Sequence, residues 1–269
     1  MTDRRFYISH APRFGSYANP QRSKVEQSPY YWWWYALTLN DEYTALCAAM
    51  RQTASTSGVS AKAQSNMLKV YEDFGDVQYE GDRYAAFSAW WRDRVNTNEQ
   101  RGAYLFAEPL RGYWTHRVTD AAQASELAQD DSYILIAVPL NQLRQNASKG
   151  TARIINKYIA EQKGREVKDP RASKARYHLN TAVQPRALKL AFDVFDFRHD
   201  CAIDSIPKQY HKNMALNVRI AKTLGLKYKL ADGEEYDVMD ERKVLSTQVA
   251  RYLRTAYDMI ENVGNGTFP

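Results

Sequence analysis

The residues with the greatest chemical potential in this 269-residue chain are few and scattered. His10, His116, His178, His199 and His211 form no HxH, HExxH or HxxxH pattern. His199, Asp200 and Cys201 are adjacent, as a nucleophile or a metal pair would be. Both chemistries need further ligands or a third orienting group, and no local spacing supplies one. Asp193 and Asp196 stand three apart on one helical face and could hold a divalent cation or form salt bridges. Glu161-Gln162-Lys163 fits half of a nuclease pattern, but it ends a helical segment where such a site requires a strand. Phe74-Gly75-Asp76 matches the magnesium-binding tripeptide of kinases without the accompanying HRD and Gly-rich loops, and GxxxxGK[ST] and GxGxxG are absent. Cys47 and Cys201 are too few for a disulfide framework or a CxxC-built zinc site. The expectation is a protein that is not an enzyme and uses neither metal nor cofactor.

Charge points elsewhere. The net charge is +6, yet residues 141–230 hold 19 Lys and Arg against 7 Asp and Glu, whereas residues 1–140 hold 14 against 16 and residues 231–269 hold 4 against 8. All six tryptophans, Trp32, Trp33, Trp34, Trp90, Trp91 and Trp114, precede residue 120. This asymmetry favours two functional regions and a polyanionic partner for the basic one. No apolar run reaches the ~18 residues of a membrane helix, and the first residues lack a secretory core, so no membrane association and a cytoplasmic location are expected.

The elements that must position these residues can be read in order. Residues 1–27 are an irregular basic arm carrying Arg4, Arg5, Arg13, Arg22 and Lys24. Ser28-Pro29 predicts a helix start, with Tyr30, Trp33, Trp34 and Leu37 on one face. Asn40 stops that helix and caps the next, and residues 52–66 are a surface loop. Asp82 caps a helix that presents Tyr84, Phe87, Trp91 and Val95. A short helix over 119–131 precedes the best strand, 132–140, whose continuous apolar character predicts burial on both faces. Residues 149–162 are helical, with an apolar stripe of Ile154, Ile155, Tyr158 and Ile159 and with Lys149, Arg153 and Lys157 elsewhere. Three further helices follow: 186–200 burying Leu188, Phe192 and Phe195; Pro207 to Leu224, ended by Gly225; and 240–263, with Val249, Leu253, Ala256 and Ile260 inward. The fold class is mainly α with a minor β component. An aromatic-rich helical N-terminal region spans 28–140. A basic helical, variant helix-turn-helix-like C-terminal region spans 141–269.

The C-terminal region has the features of a DNA-binding module. Lys208, Lys212, Arg219 and Lys222 recur over one helix, and Lys227 and Lys229 follow. On the last helix Lys243, Thr247, Gln248, Arg251 and Arg254 fall away from the apolar stripe. Gln and Arg make bidentate bonds to adenine and guanine edges, while Lys neutralises phosphate. Arg171, Lys174 and Arg176 add phosphate contacts from a basic loop. The competing reading is that both helices simply wet their outer faces. Clustered Trp and Tyr can stack on single strands, but three adjacent indoles on a helix point in three directions, so core packing or a protein-interaction surface is the plainer reading.

Trp34, Leu37, Asn40 and Tyr43 spell W-x-x-L-x-x-N-x-x-Y, and FGDV (74–77), Trp90-Trp91 and LFAEP (105–109) follow. This pattern resembles the uncharacterised "transcriptional regulator-like domain" proteins of bacterial integrative and conjugative elements and prophages. The AFDVFDFRHD helix (191–200) is similar to theirs. The resemblance implies a DNA-binding helical unit at the C-terminus and no catalytic residues. Here Thr38 and Leu39 stand where basic residues are common in that group. The expected function is sequence-specific binding of double-stranded DNA by a homodimeric regulator in a bacterial cytoplasm, on the nucleoid or in a phage-infected host. A protein partner would sit at the aromatic region. The alternatives are a viral scaffold, portal-associated or packaging component, and a metal-dependent nucleic-acid enzyme using Glu161 or Asp196.

Overall fold

The computed structural model describes residues 6–7, 11–52, 61–95, 99–109, 118–129, 134–138, 141, 144–162, 171, 173–181, 184–199, 215–228 and 237–269. Among them the chain forms helices α1 (Arg22–Val25), α2 (Pro29–Thr38), α3 (Asp41–Gln52), α4 (Ala61–Phe74), α5 (Arg83–Arg92), α6 (Arg101–Phe106), α7 (Ala121–Ala128), α8 (Arg144–Gln162), α9 (Pro185–His199), α10 (Leu216–Thr223) and α11 (Val238–Val263). The β component among the described residues is limited to isolated bridges, Gly15–Pro20, Arg94–Gln100 and Leu179–Phe268. Two compact units result, one of Met1–Pro109 with Pro170–Pro269 and one of Leu110–Asp169.

Helix α2 is buried at every position from Pro29 to Leu37, not along one face as its spacing suggested. A helix apolar on all sides must be enclosed. Each successive ring meets a different wall: Tyr30 stacks on Phe106 at 4.6 Å, Tyr31 on Tyr84 at 5.4 Å, Trp32 on Phe192 at 5.3 Å, Trp33 tilts on Phe268 at 5.3 Å, and Trp34 on Phe87 at 5.4 Å. The walls come from α5, α6, α9 and the C-terminal residues, so the core crosses the expected border at 140, which falls inside the second unit. The indoles of α2 are therefore core and leave no ring surface for a protein partner. Residues 11–27 are held against the core, where Phe14 and Val25 are buried and Phe14 packs on Phe87.

The caps hold the helices in register. Pro29 occupies the first turn of α2, but the Ser28 hydroxyl makes no capping bond, and its carbonyl accepts from the Tyr31 amide at 3.2 Å. Asn40 Oδ1 accepts from the Tyr43 amide at 2.8 Å, while Nδ2 donates to the Ile260 carbonyl at 2.6 Å, tying the α2–α3 corner to α11. The Tyr43 hydroxyl donates to the Gly75 carbonyl at 2.7 Å. Asp82 accepts from the Tyr84 and Ala85 amides at 2.7 and 2.9 Å, as its position predicts.

Two expectations fail for physical reasons. Residues 61–66 belong to α4, so the surface loop expected over 52–66 is shorter, and 53–60 lie outside the described residues. Residues 134–138 form no strand: a strand needs a neighbour for its amides and carbonyls, and none of the described residues supplies one. Ile134, Leu135 and Val138 are exposed instead of buried on both faces.

Two predictions follow from this packing. A Cβ at Gly102 would overlap the Trp91 indole, so Gly102→Ala should lower stability by about 1–3 kcal/mol in a denaturant titration. Burial pushes the phenols of Tyr30, Tyr31, Tyr35, Tyr43 and Tyr177 above their ordinary range, and burial with nearby Asp76 pushes the Cys47 thiol up to about 12. The folded state thus retains protons that the unfolded chain releases near pH ~9–10. This stabilisation is fully present below those values and is lost as pH rises through the folded ones. Alkaline titration should show these tyrosinates appearing together with loss of helical circular dichroism, not before it.

Candidate nucleic-acid interface

Beside the aromatic core, α9, α10 and α11 build a second cluster from Val194, Val218, Ile220, Ala221, Leu245 and Val249. Helix α10 begins at Leu216, after the extended Ala215, and not near Pro207. Lys208, Lys212 and Lys229 lie outside the described residues. Asp237 starts α11 by accepting from the Met239 amide at 2.8 Å, and Asp240 and Glu241 in the first turn complement the helix dipole. Leu245, Val249, Ala256, Met259 and Val263 form the fully buried stripe of α11, with Leu253 and Ile260 half-buried beside it.

The residues that the sequence singles out on α11 form one surface. At 3.6 residues per turn, Lys243, Thr247, Arg251 and Arg254 fall within an arc of about 80°, centred roughly opposite the buried stripe. All four are exposed, and Gln248 is half-buried about 60° beyond the arc, on the flank toward the buried stripe. Lys243, Gln248 and Arg254 have no hydrogen-bond or ion-pair partner among the described residues, and the Arg251 guanidinium lies 5.6 Å from the Tyr252 ring centre. The Thr247 hydroxyl donates to the Lys243 carbonyl at 2.8 Å within the helix. Tyr228, Asp240, Lys243, Val244, Thr247, Gln248 and Arg251 line an open groove of about 610 Å³. Tyr228 and Asp240 were not anticipated. Asp240, Asp258 and Glu261 continue the arc in steps of three and four residues, a spacing already visible in the sequence, and close the basic segment at both ends.

Other expected contacts are drawn into the fold. Lys222 Nζ pairs with Glu241 at 3.2 Å, both side chains about three-quarters or more buried, and this pair fastens α10 to α11. Arg219 is half-buried, with a buried Nε that has no partner among the described residues. Lys227 is exposed after the turn that ends α10. Arg176 pairs with Asp73 at 3.2 Å and lies over the Tyr104 ring at 4.5 Å. Lys174 is exposed, and its amide donates to buried Glu108 at 3.0 Å. These bonds join the loop at 173–177 to α4 and the end of α6. Arg171 is also exposed.

Asp193 and Asp196 occupy a polar seam between α1, α2, α5 and α9, while Asp200, Cys201 and the Glu161 side chain lie outside the described residues. Asp196 accepts from the Tyr35 hydroxyl at 2.7 Å and from Arg83 at 3.0 Å. Buried Glu26 accepts from the Tyr84 hydroxyl at 2.7 Å and pairs with Lys189 at 3.3 Å, and Lys189 also pairs with Asp193 at 3.1 Å. Burial opposes the charge on Lys189, yet Asp193 and Glu26 outweigh it and hold its pKa above the ordinary value. His199 stacks on Phe195 and shares a 2.5 Å hydrogen bond with the Tyr257 hydroxyl. Among the described residues no group of three His, Cys, Asp or Glu side chains could hold a metal ion. No helix of the described residues is long and apolar enough to cross a membrane.

No protein-family model, curated protein or solved structure matches the chain.

The division between outward and structural cations is measurable. Lys243→Ala, Arg251→Ala and Arg254→Ala should each change stability by no more than about 0.5 kcal/mol. Lys222→Ala should cost about 1–3 kcal/mol, because it removes the cation that faces the mostly buried Glu241 carboxylate and fastens α10 to α11. Chemical denaturation of the four variants checks the separation.

Proposed function

We propose that the chain is a sequence-specific double-stranded DNA-binding protein that reads duplex with the outward face of α11, as a transcriptional regulator of a phage or integrative element. The observation that carries this reading is the alignment of Lys243, Thr247, Arg251 and Arg254 on one exposed arc, opposite a stripe that anchors the helix in two cores. The major groove admits an α-helix. The basic segment from 243 to 254 is about 17 Å long, the rise of about five base pairs. Arg251 and Gln248 are the side chains suited to guanine and adenine edges, and Lys243 and Arg254 neutralise phosphates. Asp240, Asp258 and Glu261 repel phosphate at either end and confine the footprint to that length. So short a reading segment suits a dimer on two half-sites. The resemblance to regulator-like proteins of mobile elements supports the same reading, with a bacterial cytoplasm or an infected host as the proposed setting.

Fluorescence anisotropy with duplex and matched single strand tests it. Duplex should bind more tightly than single strand, and its affinity should fall by roughly 10² between about 50 and 200 mM salt, as four phosphate contacts across a dimer, Lys243 and Arg254 from each copy, require. At a site selected from random duplexes, Arg251→Ala should erase about 1–3 kcal/mol of discrimination at one base pair. Absence of duplex binding at low salt, or binding that the Arg251→Ala/Arg254→Ala double variant leaves unchanged, would overturn the proposal.

A further inference from the structure

No residue of α8 from 146 to 158 is buried, although the helix runs for 19 residues. A helix of that length is marginal in water on propensity alone, and Gly150, Thr151, Ile154 and Ile155 weaken it further. Its stability therefore calls for a partner on its apolar side. Ile154, Ile155 and Tyr158 are 48%, 37% and 38% exposed, and with Ala147 and Thr151 they fall within an arc of about 100°. The same unit also exposes Ile134, Leu135 and Val138, so apolar surface is concentrated there.

Two features of the arc identify the occupant. Its first half is low, with Ala147 and Thr151, and its second half is high, with Ile154 and Tyr158. When two such helices lie antiparallel about a two-fold axis midway between residues 152 and 153, Ala147 faces Tyr158 of the other copy and Thr151 faces its Ile154. Every large side chain then meets a small one, twice over, as an isologous interface requires. A parallel arrangement would set large against large and leave a gap along the first half. The second feature is charge. Lys149, Arg153 and Lys157, at i, i+4 and i+8, lie roughly opposite the apolar arc. Two copies can therefore close on the arc with their cations turned away from each other, whereas an acidic partner would be drawn to the opposite side of the helix. We propose that α8 is the self-association surface of this protein and that its occupant is the antiparallel α8 of a second copy.

The inference does not rest on DNA binding and is tested without nucleic acid. Sedimentation equilibrium of the full chain should give twice the 31.0 kDa chain mass at micromolar concentration. Ile154→Glu and Tyr158→Glu should each raise the dimer dissociation constant at least ~30-fold. Both side chains are exposed in the single chain, so helical circular dichroism and the unfolding midpoint of each variant should match those of the wild-type chain diluted below its dimer dissociation constant. In a Cys201→Ser background, an oxidised mixture of Thr151→Cys and Ile154→Cys chains should cross-link in higher yield than either chain alone. A monomer at all concentrations, or a dimer indifferent to both glutamate substitutions, would overturn the proposal. Self-cross-linking of Ile154→Cys chains that outpaces the mixture would overturn the antiparallel register.

Discussion

The rest of the fold depends on the complete burial of α2. Five consecutive aromatic residues, Tyr30 to Trp34, project in every direction around a helix, so no single neighbour can cover them. Helices α5 and α6 enclose one side, and α9, α11 and Phe268 enclose the other. Each buried ring contributes on the order of 1.5–3 kcal/mol, and for Trp32 and Trp33, which pack on Phe192 and Phe268, that stabilisation exists only when both halves of the chain are present. This requirement merges the N-terminal and C-terminal parts of the sequence into one unit. It also accepts a penalty, because the indole N–H groups of Trp33 and Trp34 are buried without a partner among the described residues. Trp32 escapes it by donating to the Glu26 carbonyl at 2.9 Å.

The enclosure also fixes the surface that carries the charge. Helix α11 is a wall of the aromatic core through Ala256, Met259 and Val263, and part of the smaller cluster through Leu245 and Val249. Asn40 holds it at the Ile260 carbonyl, and Lys222 holds it at Glu241. A helix clamped near both ends by separate cores presents its remaining face in one orientation, and such rigidity is what a recognition surface requires. The basic arc from 243 to 254 spans the stretch between those anchor points.

Local signals were legible in the sequence. Asp82, Asn40 and Gly264 mark helix ends where the structure has them, and the 3.6-residue period places the α9 and α11 stripes within a residue or two. What failed was non-local. The run at 132–140 has the composition of a buried strand, but composition does not supply a neighbouring strand. Residues 1–27 read as an irregular basic arm anchored at most by a few aromatics, and the wall that Phe14 finds, Phe87, lies seventy-three positions away. Lys222 reads as a phosphate ligand by spacing, and the carboxylate that claims it lies nineteen residues later. Of the candidate interface, the α11 residues were legible because one helix carries them all, so a single period decides whether they align. The α10 and loop residues depended on tertiary partners that no period encodes.

The net charge of the chain is therefore a poor measure of its available charge. Arg83, Lys189, Lys222 and Arg176 are each held by a carboxylate supplied from another element, and their charge serves cohesion. For Arg83 and Lys222, whose side chains are mostly buried, the carboxylate offsets the cost of desolvating the charge, whereas Arg176 is exposed and its pair lies at the surface. Lys243, Arg251 and Arg254 face no such demand, because the arc they share lies roughly opposite the buried stripe of α11. Their positions cost the fold nothing and gain it nothing, so cohesion alone does not explain their alignment. Asp240, Asp258 and Glu261 sharpen the point, since carboxylates at both ends of the same arc would favour cohesion only by pairing with the cations between them. The structure instead leaves Lys243 and Arg254 without such pairs among the described residues. An exposed row of cations bounded by anions is a surface with a defined length as well as a sign.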